Sequence, residues 1–207
     1  MKSHKGICYI VGAGECSRLL LHPKQEDMII AVDGGYEYVK EGQVDLVVGD
    51  FDSLGFVPEH SNVIALPPEK DDTDMLFAIK EGLKAGYGTF HIYGGMGGRI
   101  SHTIANIQCL SYLAERGASG YLLGGEEVVT LIKDDAICFS DAYKGYISVF
   151  SYGDKAEGVT LKGLKYPLND AVLTQQFPIG VSNEFTGESA IVSVKRGTLL
   201  VVFQRQV

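Results

Sequence analysis

The first part of the chain, to about residue 120, alternates short apolar runs with amphipathic segments. The runs are nearly continuous and rich in β-branched residues, and they read ICYIV, MIIAV, DLVVG, NVIAL, FHIYG and GYLLG. Runs that lack polar alternation are typical of strands buried on both faces of a parallel sheet. This part is therefore predicted to form an open, mostly parallel α/β sheet.

Two of the intervening segments have helical spacing. The first is DTDMLFAIKEGLKAGYG, which follows NVIAL, and the second is ISHTIANIQCLSYLAERG, which follows FHIYG. Each ends at a glycine, a common helix stop. In the second helix, the apolar arc predicted to pack on the sheet is formed by Ile100, Ile104, Ile107 and Leu110.

From about residue 133 the pattern changes to short, glycine-punctuated segments with partial alternation of apolar and polar residues. This pattern favours a small antiparallel β-sandwich or barrel. The segment IVSVKRGTLLVVF predicts a hairpin that turns near residues 196–197. The predicted domains are therefore 1–132, an α/β domain, and 133–207, a β-sandwich domain.

Composition limits the classes of partner that this protein is expected to bind. The 207 residues carry a formal net charge of -8, which argues against nucleic acid or an anionic membrane as the main partner. A nucleotide ligand stays possible, because a divalent cation reverses the local sign of the charge. The cysteines form no CxxC pair, and no apolar stretch approaches transmembrane length, so we expect a soluble cytoplasmic protein.

Candidate chemistry gathers where the predicted strands end. In an open α/β sheet, ligands bind outside the carboxyl ends of the strands. The segments that follow four of the predicted strands are acidic or glycine-rich, and they read DGG, GDFDS, PPEKDDTD and GGMGGR. We therefore expect a ligand site at this edge of the sheet.

The pair Asp50 and Asp52 follows the run DLVVG. If extended geometry continues past Gly49, both carboxylates project to the same side. Oxygen ligands of this kind suit Mg²⁺, and Asp74 is the best candidate for a third ligand. A solvated acidic turn explains the pair equally well, and a place in the first turn of a helix explains Asp74 without a metal.

The segment GGMGGR allows two interpretations. Its glycines, Gly97 and Gly98 among them, form either a flexible turn or a loop whose amide groups approach a phosphate closely. Arg99 suits bidentate contact with phosphate. His102 is as consistent with a structural role as with a site role. The segment GAGECS near residue 12 lacks the third glycine of a dinucleotide fingerprint and is discounted.

The motifs DGG, GDFDS, KDDTD, GGRISHTIAN and SNEFTG occur in an order and spacing that closely resemble the thiamine pyrophosphokinase family. The resemblance spans the whole chain. It implies an α/β domain followed by a β-sandwich, in a homodimer whose active sites lie between domains and across the dimer interface. It also implies transfer of the pyrophosphoryl group of ATP, the co-substrate, to the hydroxyl of thiamine with Mg²⁺ as cofactor.

The resemblance implies roles for individual residues. The implied metal ligands are Asp50, Asp52 and Asp74, and these with Arg99 form the implied catalytic set. The implied ATP and phosphate contacts are Asp33, Gly34, Asp71, Thr73, Gly97, Gly98, Arg99 and His102. The implied thiamine contacts are Asp52, Ser101, Ser182, Asn183 and Phe185, the last through ring stacking.

One residue departs from the family pattern. Where the family commonly reads GGRxDH, this chain has Ser101 in place of the aspartate. Serine caps a helix about as well as aspartate, so we expect an altered rate or affinity rather than inactivity. Two other functions stay open: another DxD metal-dependent transferase that uses nucleotides, such as a glycosyltransferase, and a thiamine-binding protein without catalysis.

Overall fold

The computed structural model describes residues 6–16, 19, 21–39, 43–52 and 54–206. The chain divides into two compact units, Met1–Gly125 and Glu126–Val207. The predicted boundary lies later, after residue 132, because the apolar run at Glu127–Lys133 resembles the parallel strands before it. In the structure this run pairs antiparallel with Thr198–Gln204 and so belongs to the second unit.

The first unit is built on a parallel sheet. Its strands are β1 (Ile7–Val11), β2 (Met28–Val32), β3 (Leu46–Gly49), β4 (Val63–Ala65), β5 (Thr89–Tyr93) and β6 (Ser119–Gly124). They lie in the order β6-β5-β1-β2-β3-β4, and neighbouring strands are parallel. The predicted open α/β sheet is confirmed.

Two α-helices connect strands of this sheet within the described residues, α1 (Asp74–Lys84) and α2 (Ile100–Ala114). A 3-10 helix covers Asp33–Tyr38. Helix α1 begins after Thr73, whose hydroxyl accepts a hydrogen bond from the Leu76 amide at 3.2 Å, an N-cap that satisfies a free amide of the first turn. In the described part of the chain, no helix combines the length and apolar character needed to cross a membrane.

Helix α2 packs with a different face from the one predicted. Ile100 and Ile104 are 77% and 54% exposed, whereas the buried residues are Asn106, Cys109, Leu110 and Leu113. Leu110 and Leu113 lie directly above Gly120, where a side chain would meet them at 2.8 and 2.6 Å. The predicted arc is therefore wrong at Ile100 and Ile104, whereas Ile107 is half-buried and Leu110 is buried, because the helix turns toward the strand that allows the closest approach.

The second unit consists of two antiparallel sheets. Its strands are β7 (Glu127–Lys133), β8 (Ala136–Phe139), β9 (Tyr146–Ser151), β10 (Lys155–Lys162), β11 (Leu168–Thr174), β12 (Asn183–Glu184), β13 (Ala190–Ser193) and β14 (Thr198–Gln204). One sheet has the order β12-β9-β14-β7 and the other β11-β10-β13-β8. The predicted small antiparallel sandwich is confirmed.

The predicted hairpin between β13 and β14 is wrong. Strand β13 pairs with β10 and β8, whereas β14 pairs with β7 and β9, so the two consecutive strands lie in different sheets. Gly197 in the connection has a φ of 108°, and its amide donates to Asp134 Oδ1 at 2.7 Å. Apolar alternation marks both strands equally well but does not identify the partner of either.

Candidate active site at the carboxyl edge of the parallel sheet

A cavity of about 640 Å³ lies in the first unit where the parallel strands end. Loops that follow β1, β2, β3, β4 and β5 line it, together with the beginnings of α1 and α2. The predicted site residues that line this cavity are Asp33, Asp50, Asp52, Thr73, Asp74, Gly97, Gly98, Arg99 and His102. Gly34, Asp71 and Ser101 lie in the same unit but do not line the cavity. The ends of the four strands predicted to carry the chemistry, β2, β3, β4 and β5, therefore share one site, and the end of β1 adds to it.

Three carboxylates in the cavity form a compact group. Asp33 follows β2, Asp50 follows β3, and Asp74 is the first residue of α1. One oxygen from each lies within 4.8 Å of the others. An oxygen-only donor set of this kind suits a hard divalent cation such as Mg²⁺.

Asp52 lines the cavity outside this three-carboxylate group, and Asp33 occupies the place predicted for it. The reason is local backbone geometry, because Phe51 has a φ of 60° and the chain turns after Asp50. Extended geometry does not continue past Gly49, so the expected same-side projection of Asp50 and Asp52 is wrong. The Asp52 amide instead donates to Asp50 Oδ1 at 3.2 Å and helps to fix that carboxylate.

The position of Asp33 is fixed by its surroundings. Its own φ is 49°, and its Oδ1 accepts a hydrogen bond from the Phe51 amide at 3.4 Å. Gly49 leaves the space that the Asp33 carboxylate fills, because a Cβ atom at that position would overlap Oδ1. The end of β3 therefore holds an aspartate supplied by the end of β2.

Lys70 lies against the three-carboxylate group. Its Nζ is 2.6 Å from Asp74 Oδ1 and 3.3 Å from Asp50 Oδ2. Burial acts to lower the pKa of Lys70, but its contacts with Asp74 and Asp50 outweigh burial and raise the pKa above its ordinary value. The ammonium is therefore charged at neutral pH. The sequence analysis assigned no role to this residue. The available signal was its place as the first residue of the motif KDDTD, directly before the acidic residues.

The ionisation of Asp33 is disfavoured by its surroundings. Burial and the neighbouring Asp74 carboxylate raise the pKa of Asp33 from 3.8 to about 6, and Asp50 adds to the effect. The hydrogen bond from Phe51 and the charge of Lys70 oppose it without cancelling it. Three carboxylates with one ammonium thus leave a site that favours a further positive charge.

This imbalance predicts how stability depends on pH in protein freed of metal with EDTA. Because folding raises the pKa of Asp33, this residue's stabilising contribution is full below about pH 4 and is lost as the pH rises through about 6. Asp33→Asn should therefore raise the free energy of unfolding at pH 8 by about 1 to 2 kcal/mol, after allowance for partial solvent screening. Denaturant titrations at pH 4 and pH 8 measure this, and equal pH dependence in both proteins would contradict it.

The glycine loops after β1 and β5 contact each other closely. The Gly12 amide donates to the Tyr93 carbonyl at 2.9 Å, and the Gly14 amide donates to the Gly94 carbonyl at 3.0 Å. Gly94 has a φ of 63°, and a Cβ atom there would overlap the Gly12 carbonyl oxygen. Gly12, Ala13 and Gly14 of the discounted segment thus form a wall of the cavity.

The entrance of α2 supplies groups suited to an anion. Gly97 and Gly98 have φ values of 82° and 62°, and Arg99 follows as the N-cap without a side-chain capping bond. The dipole of a 15-residue helix favours negative charge at this end. Ser101 is the second residue of the helix and is exposed, so its expected capping role is wrong.

The three predicted thiamine contacts of the second unit differ from one another in their exposure, since two are buried and one is exposed. Asn183 is 3% exposed, and its Oδ1 accepts from the amides of Tyr166 and Glu184, each at 2.9 Å. Its Nδ2 donates to the Tyr166 carbonyl at 2.8 Å. Phe185 is 9% exposed and packs on Phe139, with ring centroids 5.1 Å apart, so a substrate has little access to its ring. Ser182 is exposed.

Asn183 is therefore expected to act on stability. Asn183→Ala leaves two partly buried amides and a carbonyl without their partner, and it should lower the free energy of unfolding by about 2 to 4 kcal/mol. Denaturant unfolding checks this value. Ser182→Ala is the matched control and should change stability by less than about 0.5 kcal/mol. A loss of thiamine affinity with unchanged stability in Asn183→Ala would show that the side chain serves the ligand instead.

Comparisons with known proteins match both units. The catalytic domain model of thiamin pyrophosphokinase matches residues 21–122, and the vitamin B1 binding domain model of thiamin pyrophosphokinase matches residues 134–199. The chain belongs to the thiamine pyrophosphokinase family. A thiamine pyrophosphokinase of Bacillus subtilis is 28% identical over 161 residues, which are 74% of this chain and 75% of the relative. The predicted family and the predicted class of enzyme, a thiamine diphosphokinase, are confirmed.

Solved structures of thiamine pyrophosphokinases share the fold. The crystal structure of the Bacillus subtilis thiamine pyrophosphokinase has a TM-score of 0.85 at 23% identity, and the match covers 98% of this chain and 100% of that one. The thiamin pyrophosphokinase of Candida albicans has a TM-score of 0.74 at 16% identity, with 98% and 90% covered. At these identities the likeness shows the fold alone. It agrees with the α/β unit and the β-sandwich unit described above.

Proposed function

We propose that this member of the thiamine pyrophosphokinase family transfers the pyrophosphoryl group of ATP to the hydroxyl of thiamine, giving AMP and thiamine diphosphate. The observation that carries the proposal is the three-carboxylate group of Asp33, Asp50 and Asp74. It lies in the cavity of the unit that matches the family's catalytic domain. Arg99 and the glycine-rich loops line the same cavity, which suits a polyphosphate.

The residues of the cavity fit a magnesium ion. Asp33, Asp50 and Asp74 would hold it, because their oxygens form a hard donor set. Burial and the negative charge of Asp74, which Lys70 does not cancel, raise the pKa of Asp33, and a bound cation would relieve both. When bound, Mg²⁺ supplies neutralisation of charge on the phosphate oxygens. Asp52 lines the cavity beside the group, and its predicted ligand role stays a prediction.

Positioning is the main task of the chain in transfer from a polyphosphate. The Arg99 guanidinium binds phosphate oxygens in two parallel contacts, and the amides around Gly97 and Gly98 approach the same oxygens because these residues carry no side chains of their own. The first turn of α2 adds its dipole. Together these groups orient the phosphates toward the acceptor hydroxyl and exclude other orientations.

The second unit would bind thiamine, since it matches the family's vitamin B1 binding domain. Ser182 is its exposed predicted contact, so Ser182→Ala should weaken thiamine binding without loss of stability. We also propose that the enzyme is a cytoplasmic homodimer, as the resemblance to its family implies. Light scattering of the purified protein tests the dimer.

The decisive experiment combines the protein with ATP, Mg²⁺ and thiamine and measures AMP and thiamine diphosphate. The proposal predicts equal amounts of both products, with none in the presence of EDTA. Binding of thiamine diphosphate without AMP release would instead indicate a thiamine-binding protein. Turnover of a sugar nucleotide without thiamine would indicate a different transferase.

A further inference from the structure

Lys70 occupies a position in the three-carboxylate group that a divalent ion would need. We propose that Lys70 is a built-in counter-cation, which balances Asp50 and Asp74 in the metal-free protein, competes with the divalent ion for them, and moves to phosphate oxygens when nucleotide and ion bind together. This inference rests on the proposed function for the identity of its ligands, a divalent cation and a nucleotide polyphosphate. It concerns a residue that sequence reasoning assigned no role.

The contacts of Lys70 resemble those of a bridging cation. Its ammonium lies 2.6 Å from an oxygen of Asp74 and 3.3 Å from an oxygen of Asp50, and so touches two of the three carboxylates. The Lys70 side chain is 14% exposed, and those of Asp50 and Asp74 are 23% and 18% exposed. Partly buried charges are screened much less by salt than exposed ones. The ammonium therefore contributes strongly to the charge balance of the site.

The same oxygens cannot serve both cations fully. An ion bound to Asp50 and Asp74 would lie close to an ammonium that contacts the same two residues, and the two positive charges would repel each other. The ion pairs that Lys70 forms within the described group are with Asp50 and Asp74 and not with Asp33, so Asp33 is the carboxylate that an incoming ion could reach without displacing the ammonium. Entry of the ion therefore requires Lys70 to leave at least one of its partners.

The cavity offers the displaced Lys70 ammonium a second binding position. Its side chain lines the cavity together with Arg99, Gly97 and Gly98, the groups proposed to bind phosphate. Lysine carries its charge on a flexible four-carbon stem, so its ammonium moves several ångströms without a change in the backbone. A bound polyphosphate would give the displaced ammonium a new anionic partner. The same residue then opposes the ion alone and favours the ion with nucleotide.

Replacement of Lys70 should consequently have opposite effects on two ligands. In Lys70→Met and Lys70→Gln, Mn²⁺ or Mg²⁺ alone should bind about tenfold more tightly than in the unchanged protein, because the competing charge is gone. The Mg²⁺ complex of a non-hydrolysable ATP analogue should bind about tenfold more weakly, because one phosphate partner is lost. Isothermal titration calorimetry measures both affinities without turnover. A structural role for Lys70 predicts that both affinities fall.

Lys80→Met is the matched control. Lys80 pairs with Asp72 at 2.5 Å beside the cavity, and neither residue belongs to the three-carboxylate group. The affinity of this variant for the ion alone should stay within about twofold of the unchanged protein. Circular dichroism confirms folding, and Lys70→Gln serves if Lys70→Met does not fold, because glutamine keeps a hydrogen-bond donor.

Unchanged or weaker binding of the ion alone in a folded Lys70 variant would overturn the inference, as would the absence of ion binding in the unchanged protein. These titrations contain no thiamine. If they give the expected reversal while no AMP forms from ATP and thiamine, the proposed function fails and the inference about Lys70 stands. If AMP forms and the two affinities do not change in opposite directions, the proposed function stands and the inference about Lys70 fails.

Discussion

Asp50→Asn is expected to lower the rate of AMP formation by about a thousandfold or more while the protein stays folded. The substitution keeps the shape of the side chain but removes a charge from the three-carboxylate group, which depends on charge to hold a cation. Asp74→Asn should have an effect of similar size, because it removes another member of the same group. Steady-state kinetics with ATP and thiamine measure the loss, and Mg²⁺-dependent thermal stabilisation should disappear in parallel.

Asp72→Asn provides the comparison for this prediction. Asp72 lies in the same acidic stretch and lines the same cavity, but it pairs with Lys80 and stands outside the three-carboxylate group. Its substitution should cost much less activity and leave the Mg²⁺-dependent stabilisation in place. Equal losses in Asp50→Asn and Asp72→Asn would show that general acidity of the cavity matters, not the group of three.

Gly94→Ala is expected to lower the free energy of unfolding by about 3 kcal/mol or more. An alanine there must adopt a φ of 63°, and its Cβ atom would also overlap the Gly12 carbonyl oxygen. That oxygen belongs to the backbone just after β1 and cannot yield without moving the glycine loop. The substitution should therefore disturb the wall of the cavity as well as stability.

Gly98→Ala distinguishes the cost of the positive φ from the cost of the overlap with a neighbouring backbone atom. Gly98 has nearly the same φ, 62°, but a Cβ atom at this position has nothing within 4 Å. Its substitution should cost only the backbone strain, about 1 to 2 kcal/mol. Denaturant unfolding of both variants measures the difference, and equal destabilisation would contradict the close contact between Gly94 and Gly12.

The architecture was predictable because its signals are local. Continuous apolar runs identified the strands of the parallel sheet, and the rule that ligands bind at the carboxyl ends of such strands brought Asp33, Asp50, Asp74 and Arg99 to one edge. The change of pattern near residue 133 identified the sandwich. Each of these inferences needs only the composition of a short segment and the direction of the chain.

The features that sequence reasoning missed depend on contacts between distant segments. Asn106 turns toward the interior because it donates to the Gly95 carbonyl at 2.7 Å, a bond that no helical periodicity reveals. The positive φ of Phe51 turns Asp52 away from the three-carboxylate group, contrary to the alternation of an extended strand. The partners of β13 and β14 likewise depend on which sheet each strand enters.

The origin of the three carboxylates in three separate segments links ligand binding to the integrity of the first unit. Asp33 follows β2, Asp50 follows β3, and Asp74 begins α1. Only the assembled sheet brings their carboxylate oxygens within 4.8 Å of one another. An ion bound there would join the three segments noncovalently and would have little affinity for an unfolded chain. Cellular magnesium would then protect the enzyme from proteolysis, so that supply of the ion would govern its lifetime as well as its rate.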